Sequence, residues 1–211
     1  MITNYYIIRH GETAFNRAGI VQGSGVDSDL NDIGRNQAAL FYAKYAAVPF
    51  DLILVSSLKR TAQTAAPFIE QGIKTIKIGD LNEINWGTHE GKVSSPEGRF
   101  VFRETVRAWS EGNYDARTTD GESAAELAAR LERVKKILEG LTEKNVLVVT
   151  HGRTLRALTC LLKAEPLANM EQYDHSNTGL VMAHFDHENQ TWQITTHNDI
   201  SHLSDRPITH S

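Results

Sequence analysis

The stretch Val146-Leu147-Val148-Val149-Thr150-His151-Gly152 decides the fold, because it is the most strand-like run in the chain and it ends on a polar group. Such a short apolar, mostly β-branched run predicts a buried strand. Two earlier runs have the same form: Tyr5-Tyr6-Ile7-Ile8 leads into Arg9-His10-Gly11, and Asp51-Leu52-Ile53-Leu54-Val55 leads into Ser56-Ser57. Each run therefore predicts a strand that delivers polar side chains at its carboxyl end.

Helical patterns lie between these runs. Asn31 is placed to cap a helix, and a second helix from about Leu58 meets Pro67, which is expected to kink or end it. Ser123 and Glu126 have the spacing of a capping box in front of a further helix. The apolar positions of the first helix are Ile33, Leu40, Phe41 and Tyr45. In the third helix the apolar positions extend from Leu127 to Leu141, and a last helix is expected from Thr154 to Lys163.

Strands that alternate with helices predict an α/β fold, a three-layer α/β/α arrangement around a mostly parallel central sheet. A third strand is expected from Lys74 to Ile78, and a hairpin from Leu180 to Phe185 and Trp192 to Thr196. Residues 84–120 read as a small irregular and helical insertion over the active site, with one helix around Phe100 to Trp109. We expect residues 1–211 to form a single domain with a tail at 201–211.

Composition excludes several classes of protein. The chain has 211 residues, 40% of them hydrophobic and 23% charged, which is ordinary for a globular protein. Its net charge of -4 provides no basic field for nucleic acid, and no apolar run reaches the roughly 18 residues of a membrane span. The single cysteine, Cys160, cannot form an internal disulfide and reads as core. We predict a cytoplasmic protein; its oligomeric state, a homodimer included, stays open.

The polar groups at the strand ends suggest a common chemistry, because ligands of such sheets bind beyond the carboxyl ends of the strands. Arg9 and Arg60 are candidates to hold a phosphate group in pairs of hydrogen bonds. His10, held neutral by a bond at one ring nitrogen, offers the other nitrogen as a nucleophile. Glu83 is the candidate acid for the leaving oxygen, and His151 would help to stabilise the transferred group. Glu90 and Glu122 are alternative acids in the same irregular region.

Five sequence blocks in order carry a family resemblance. They are Arg9-His10-Gly11-Glu12-Thr13 with Asn16, Ser57-x-x-Arg60-x-x-Gln63-Thr64-Ala65, Leu81-Asn82-Glu83 with Gly87, Glu90 and Gly91, Gly121-Glu122-Ser123, and Thr150-His151-Gly152. Together with Gln22-Gly23, they resemble the blocks of the histidine phosphatase superfamily, whose best-known branch is cofactor-dependent phosphoglycerate mutase. The resemblance extends over most of the chain and implies a phosphoglycerate mutase-like fold.

The resemblance also implies roles for single residues. Arg9, His10, Arg60 and His151 would form the phosphate pocket, with His10 as the nucleophile and Glu83 as the proton donor. The residues expected on the substrate side are Gly11, Thr13, Asn16, Gln22, Gly23 and Gly152. Between positions 15 and 29 the sequence departs from the family at three residues. Phe15 stands where the family usually has Trp, Ile20 where Arg is frequent, and Asp29 where Pro is common. The substrate-facing loop is therefore the part least like the family.

The predicted function is that of a metal-independent phosphomonoesterase that forms a phosphohistidine and acts on a small phosphorylated metabolite, with no cofactor. The alternative is a cofactor-dependent phosphoglycerate mutase. Mutases of this type carry a longer insertion with a Lys-Arg pair, whereas the segment from Glu83 to Gly121 is short here. A catalytically silent phosphate-binding module is a third interpretation, and a metallohydrolase a fourth.

Several other residues have both a functional and a structural interpretation. Arg99, Arg103 and Arg107 recur at four-residue spacing and would face an anionic substrate or pair with nearby glutamates, and the pairing is favoured. Aromatic side chains of the insertion would line a pocket or pack the insertion itself; these are Trp86, His89 and Trp109. The histidines near the carboxyl terminus match no compact metal site, so we expect tail or surface positions for His197, His202 and His210.

Overall fold

The computed structural model of the chain describes residues 1–204. A six-stranded sheet lies at its centre, with the strands in the order β3-β2-β4-β1-β5-β6. The strands are β1 (Ile2–Arg9), β2 (Leu52–Val55), β3 (Thr75–Lys77), β4 (Asn145–Thr150), β5 (Leu180–Asp186) and β6 (Thr191–Asp199). The first four strands run parallel, and β5 and β6 form an antiparallel extension beside β1. The predicted mostly parallel α/β sheet is confirmed.

The register of the parallel strands places their polar ends side by side. Arg9 of β1 lies opposite Thr150 of β4, and Val55 of β2 lies opposite Val149. The residues that follow these strands therefore leave the sheet at one edge, as the carboxyl ends of parallel strands must.

Helices cover both faces of the sheet. They are α1 (Ala14–Ala18), α2 (Asp32–Tyr45), α3 (Lys59–Ile69), α4 (Pro96–Ser110), α5 (Ala124–Gly140) and α6 (Gly152–Leu162). Alternate strand residues point to opposite faces, so Leu147 and Val149 pack with α2 and α3, while Val146 and Val148 pack with α5 and α6. Short 3₁₀ turns complete the chain at Gly79–Leu81, Gly87–His89, Leu167–Gln172 and Ser201–Leu203. The structure thus has the three layers that the sequence predicts.

Helix boundaries agree with the capping signals. Asn31 accepts a hydrogen bond from the Gly34 N–H at the start of α2, and Ser123 and Glu126 form the predicted capping box of α5. Helix α3 continues for two residues beyond Pro67 and ends at Ile69, because proline removes a hydrogen bond only in the last turn of this helix.

The buried face of α2 differs from the predicted one. Ile33 is 41% exposed, whereas Gly34, Ala38 and Phe41 are buried. The reason is that Gly34 packs directly against the backbone of Glu12, and this close contact rotates Ile33 outwards.

The segment 84–120 contains one regular helix, α4, which starts at Pro96 behind the capping residue Ser95, one turn earlier than predicted. Trp86 and Trp109 are buried in this segment, with ring centroids 5.9 Å apart, and Trp109 donates a hydrogen bond to the Ala116 carbonyl. Trp109 packs the insertion, and Trp86 packs beside it while also lining a cavity.

None of the helices within residues 1–204 has the length and apolar character needed to cross a membrane.

Candidate active site

The predicted polar residues meet at the carboxyl edge of the sheet. The His10 and His151 rings lie 5.1 Å apart between centroids, and Arg60 contacts His151 directly. His10, Arg60 and His151 are almost fully buried, and Glu83 is 8% exposed. The structure therefore brings together four residues, from the end of β1, from α3, from the start of α6 and from the Glu83 loop, and Arg9 adjoins them as the last residue of β1.

His10 has one ring nitrogen bonded and one free. Its Nδ1 lies 2.7 Å from the Gly11 carbonyl oxygen, which can only accept, so Nδ1 carries the proton and Nε2 carries the lone pair. Burial, and next the charges of Arg9 and Arg60, hold the pKa of His10 well below its usual range. The imidazole is therefore neutral near pH 7 and nucleophilic at Nε2.

His151 is bonded at both ring nitrogens. Arg60 Nε donates to Nδ1 at 3.2 Å, so the proton of the neutral ring is on Nε2, which lies 2.8 Å from Ser56 Oγ. Burial, followed by the charge of Arg60, holds the pKa of His151 well below its usual value. With both nitrogens engaged, His151 holds Arg60 in a fixed orientation.

The two arginines keep donors for an anion. Arg60 uses Nη1 to reach the Val26 carbonyl at 2.7 Å and Nη2 to reach the Gly23 carbonyl at 3.3 Å, besides its bond to His151. A guanidinium has five N–H groups, so two remain. Arg9 donates from Nη1 to the His175 carbonyl at 2.9 Å, and its buried Nε has no hydrogen-bond partner among residues 1–204. Both side chains can therefore hold phosphate oxygens in pairs of bonds.

Glu83 sits at the amino terminus of α6. Its Oε1 accepts bonds from the N–H groups of Ile84 and Thr154 and from Thr154 Oγ1, each at 3.0 Å. Its Oε2 accepts one bond, from the Arg153 N–H at 3.1 Å. Four donors fix the carboxyl group, and Oε2 keeps the greater free capacity toward the pocket.

Three glycines predicted on the substrate side lie close to other backbone or side-chain atoms. A Cβ on Gly11 would come within 2.5 Å of the Gly34 carbonyl oxygen, so its small size serves the contact with α2. A Cβ on Gly152 would lie 2.4 Å from the His175 ring. Gly23 has no room either, because a Cβ there would meet the Glu90 carboxylate at 1.9 Å. Close contacts within the protein thus require all three glycines.

Three other predicted substrate contacts are linked to each other. Thr13 and Asn16 form the capping box of α1, and Gln22 Nε2 donates to Thr13 Oγ1 at 2.8 Å. Gln22 also accepts from Ser28, so these side chains hold the loop that follows α1. That loop reaches the pocket through the carbonyl groups of Gly23 and Val26 on Arg60.

The residues that have both a functional and a structural interpretation differ in their surroundings. Arg107 pairs with Glu104 and Glu111, as favoured, but Arg99 donates to the Ser94 carbonyl and Arg103 has no ion pair within residues 1–204. His89 lines a cavity beside Trp86.

The prediction for the late histidines is wrong for His202. This residue is buried, because its Nε2 bonds with Thr178 Oγ1 at 2.9 Å and its ring packs edge-on against Phe41. His197 is partly buried, with Nε2 2.9 Å from the Asp174 carbonyl oxygen. His210 lies outside the described residues. Within residues 1–204, no three His, Cys, Asp or Glu side chains are grouped as metal ligands.

Sequence reasoning missed two residues of the site. Ser56, whose Oγ bonds with His151 Nε2, directly follows β2, and its place at a strand end was the signal that could have revealed it. His175 lies in the loop before β5, where its carbonyl binds Arg9 and its ring covers Gly152. No motif marks His175, because only the antiparallel return of β5 beside β1 brings it there.

Known proteins are similar to this chain in sequence and in fold. The family model of the histidine phosphatase superfamily (branch 1) matches residues 5–200. A metal-independent phosphoserine phosphatase of Arabidopsis thaliana is 30% identical over 208 residues, which cover 96% of this chain and 84% of the relative. A Proteus mirabilis protein named "Probable phosphoglycerate mutase GpmB" is 30% identical over 212 residues, 95% of this chain and 94% of that protein.

The fold is likewise shared with a solved structure. The alpha-ribazole phosphatase from Shigella flexneri superposes with a TM-score of 0.81 at 25% identity and covers 93% of this chain and 96% of its own. With the family model matched over nearly its whole length, this chain belongs to branch 1 of the histidine phosphatase superfamily.

Proposed function

We propose that this protein is a metal-independent phosphomonoesterase that transfers the phosphoryl group of a small phosphorylated metabolite to His10 and then to water. One observation carries the proposal. His10 holds its proton at Nδ1 on the Gly11 carbonyl and presents a neutral Nε2 beside two arginines with free donors. A nucleophile next to an anion-binding pair suits attack on a phosphate ester.

In the first step, the Nε2 lone pair of His10 forms a bond to phosphorus while the bond from phosphorus to the ester oxygen breaks. The departing oxygen takes a proton from Glu83 Oε2, which becomes a carboxylate, and the alcohol leaves. Arg9 and Arg60 neutralise the charge on the equatorial oxygens as it redistributes. His151 and Ser56 hold Arg60 in place for this step.

In the second step, water attacks phosphorus from the side vacated by the alcohol and gives its proton to Glu83. The bond between Nε2 and phosphorus breaks, its electron pair returns to His10, and inorganic phosphate leaves. Glu83 is then protonated again for the next substrate. The carboxyl group thus serves as acid and base in turn, a role for which its four fixed donors hold it in one position.

The relatives support a phosphatase, since the Arabidopsis protein and the Shigella structure both carry phosphatase names. The mutase alternative differs only in the acceptor of the second step, a substrate oxygen in place of water. The segment between Glu83 and Gly121 contains a single 15-residue helix, α4, which favours the phosphatase.

The test is hydrolysis of p-nitrophenyl phosphate in the presence of a strong chelator. We expect the wild type to release phosphate with no loss in chelator, and His10→Ala to lose this activity, while His184→Ala in the distant hairpin retains it. Rapid quenching in base should trap a phosphorylated protein that loses its phosphoryl group in acid, as a phosphohistidine does.

Three results would contradict the proposal. A wild type no faster than His10→Ala would indicate a silent binding module, and loss of activity in chelator would indicate a metallohydrolase. Efficient conversion of 3-phosphoglycerate to 2-phosphoglycerate, dependent on the bisphosphate, would identify a mutase.

A further inference from the structure

A cavity of about 190 Å³ lies beneath helix α4. Val21, Trp86 and Phe102 give it apolar walls, and the backbone of Gly98 closes one side. His89, Arg99 and Arg103 also line it. The cavity therefore combines an apolar interior with cationic side chains at its edge.

Among residues 1–204, neither arginine of this cavity forms an ion pair with a carboxylate. Arg99 and Arg103 are one turn apart on α4, a spacing at which like charges destabilise a helix. The neighbouring Arg107 takes both Glu104 and Glu111 in ion pairs, and no Asp or Glu lines the cavity within the described residues. An anionic group on a ligand would offset the repulsion between the two guanidinium groups.

The cavity lies within reach of the reacting ester. Trp86 follows the proposed acid Glu83 by three residues, and three residues of chain span at most about 10 Å. On the other wall, Val21 precedes Gly23, whose carbonyl holds Arg60 Nη2. The cavity walls thus continue directly into the segments that hold Glu83 and Arg60.

One residue fixes the cavity relative to the proposed acid. The Arg153 guanidinium lies 5.9 Å from the ring centroids of both Trp86 and Phe102, a cation–π distance, while its backbone N–H holds Glu83 Oε2. A group bound against the two rings is therefore held in a set position relative to the proton donor.

A second cavity, of about 440 Å³, is lined by Glu83 itself, but its cations are already neutralised. Arg117 pairs with Glu126 at 2.8 Å, and Arg130 pairs with Glu122 at 2.6 Å. This polar space can admit substrate and water, but it offers no unpaired cation to select an anion.

We propose that the cavity under α4 is the leaving-group subsite, and that the substrates are phosphomonoesters whose alcohol carries an apolar body and a second anionic group. The apolar body lies against Trp86 and Phe102, whose own rings are in contact, and the anion, a carboxylate or a further phosphate, meets Arg99 and Arg103. The proposal rests on the phosphomonoesterase function proposed above.

The test compares two esters that differ in one charge, 4-(2-carboxyethyl)phenyl phosphate and its carboxamide. Their acid and amide groups lie about 10 Å from phosphorus, the reach set by the chain between Glu83 and Trp86. We expect the wild type to prefer the carboxylate by about tenfold in kcat/KM, the effect of one charge-assisted hydrogen bond. Arg99→Gln and Arg103→Gln should abolish the preference, and Arg103→Lys should restore most of it.

Arg107→Gln is the matched control, because Arg107 lies on the same helix but is neutralised by two glutamates. It should keep the full preference for the carboxylate. The inference is overturned if the wild type hydrolyses both esters equally, or if Arg103→Gln and Arg107→Gln give the same ratio. If instead neither ester is hydrolysed faster by the wild type than by His10→Ala, the proposed function itself fails.

Discussion

Replacing Glu83 with Gln separates proton donation from positioning. The new amide can keep the three bonds accepted at Oε1, but its NH₂ group then faces the Arg153 N–H, and two donors cannot bond. The loss of this buried bond costs about 1–3 kcal/mol. Urea unfolding should therefore show a folded variant that is less stable by about 2 kcal/mol.

The effect of Glu83→Gln on catalysis should depend on the leaving group. An ester of a primary alcohol needs a proton as it departs, so kcat/KM should fall by about 10²–10⁴-fold, the usual value of general acid catalysis. p-Nitrophenolate departs without a proton, and its ester should lose no more than about tenfold. The assay is kcat/KM for both esters, because this constant reports the steps up to phosphorylation of His10.

Glu122→Gln is the control, since Glu122 lies nearby but is paired with Arg130 at 2.6 Å. It should affect the two esters equally. The role of Glu83 as the acid would be refuted by equal losses for both esters in Glu83→Gln, or by a selective loss of the alkyl ester in Glu122→Gln.

Three further predictions concern the surroundings of the pocket. Burial, then the charges of Arg9 and Arg156, lowers the pKa of His175 to about 3. Between that value and about pH 6.5 His175 binds a proton only when the protein is unfolded, so its contribution to stability should fall by about 1.4 kcal/mol for each unit by which the pH falls. Urea unfolding across pH should show this slope reduced in His175→Asn, and an unchanged slope would contradict the assignment. Gly152→Ala would place a Cβ 2.4 Å from the His175 ring and should lower kcat/KM by about 10²-fold. Gly140→Ala is the control, because nothing lies within 4 Å of its Cβ, and it should leave kcat/KM unchanged. Equal activities of the two variants would count against the contact. Glu171→Gln removes the carboxylate that pairs with two mostly buried guanidinium groups, and it should reduce the free energy of unfolding by about 1–3 kcal/mol, a value discounted for the exposure of Glu171. Glu104→Gln breaks an exposed pair and should reduce the free energy of unfolding by less than about 1 kcal/mol. The reverse order of the two variants in urea unfolding would refute this prediction.

The strand ends could be predicted from the sequence because a run of apolar residues that stops at a polar group has one simple interpretation in a parallel sheet. Arg9, His10, Ser56 and His151 all follow from that rule once the register is known. The helix starts were equally accessible, since Asn31 and Ser123 cap their helices through local bonds.

Other features depend on contacts between distant segments and leave no local pattern. His175 reaches the site only because β5 returns antiparallel to β1, and His202 is buried only because its short turn docks on Phe41 of α2. The exposure of Ile33 follows from the contact of Gly34 with Glu12 across the loop. Periodicity identifies a face within one helix, but the neighbour that covers it is set by tertiary packing.

Arg153 belongs to two parts of the molecule at once. Its backbone N–H holds the carboxyl group of Glu83, and its side chain lies among the rings of Trp86, Phe102 and Trp109 while pairing with Glu171. Both sets of contacts belong to one residue in the first turn of α6. We therefore expect a small displacement of the insertion to shift the proton donor as well. Substitutions in α4 that never touch the ester are therefore expected to alter the turnover number as well as substrate affinity, and binding preference and reaction rate would evolve together in this protein.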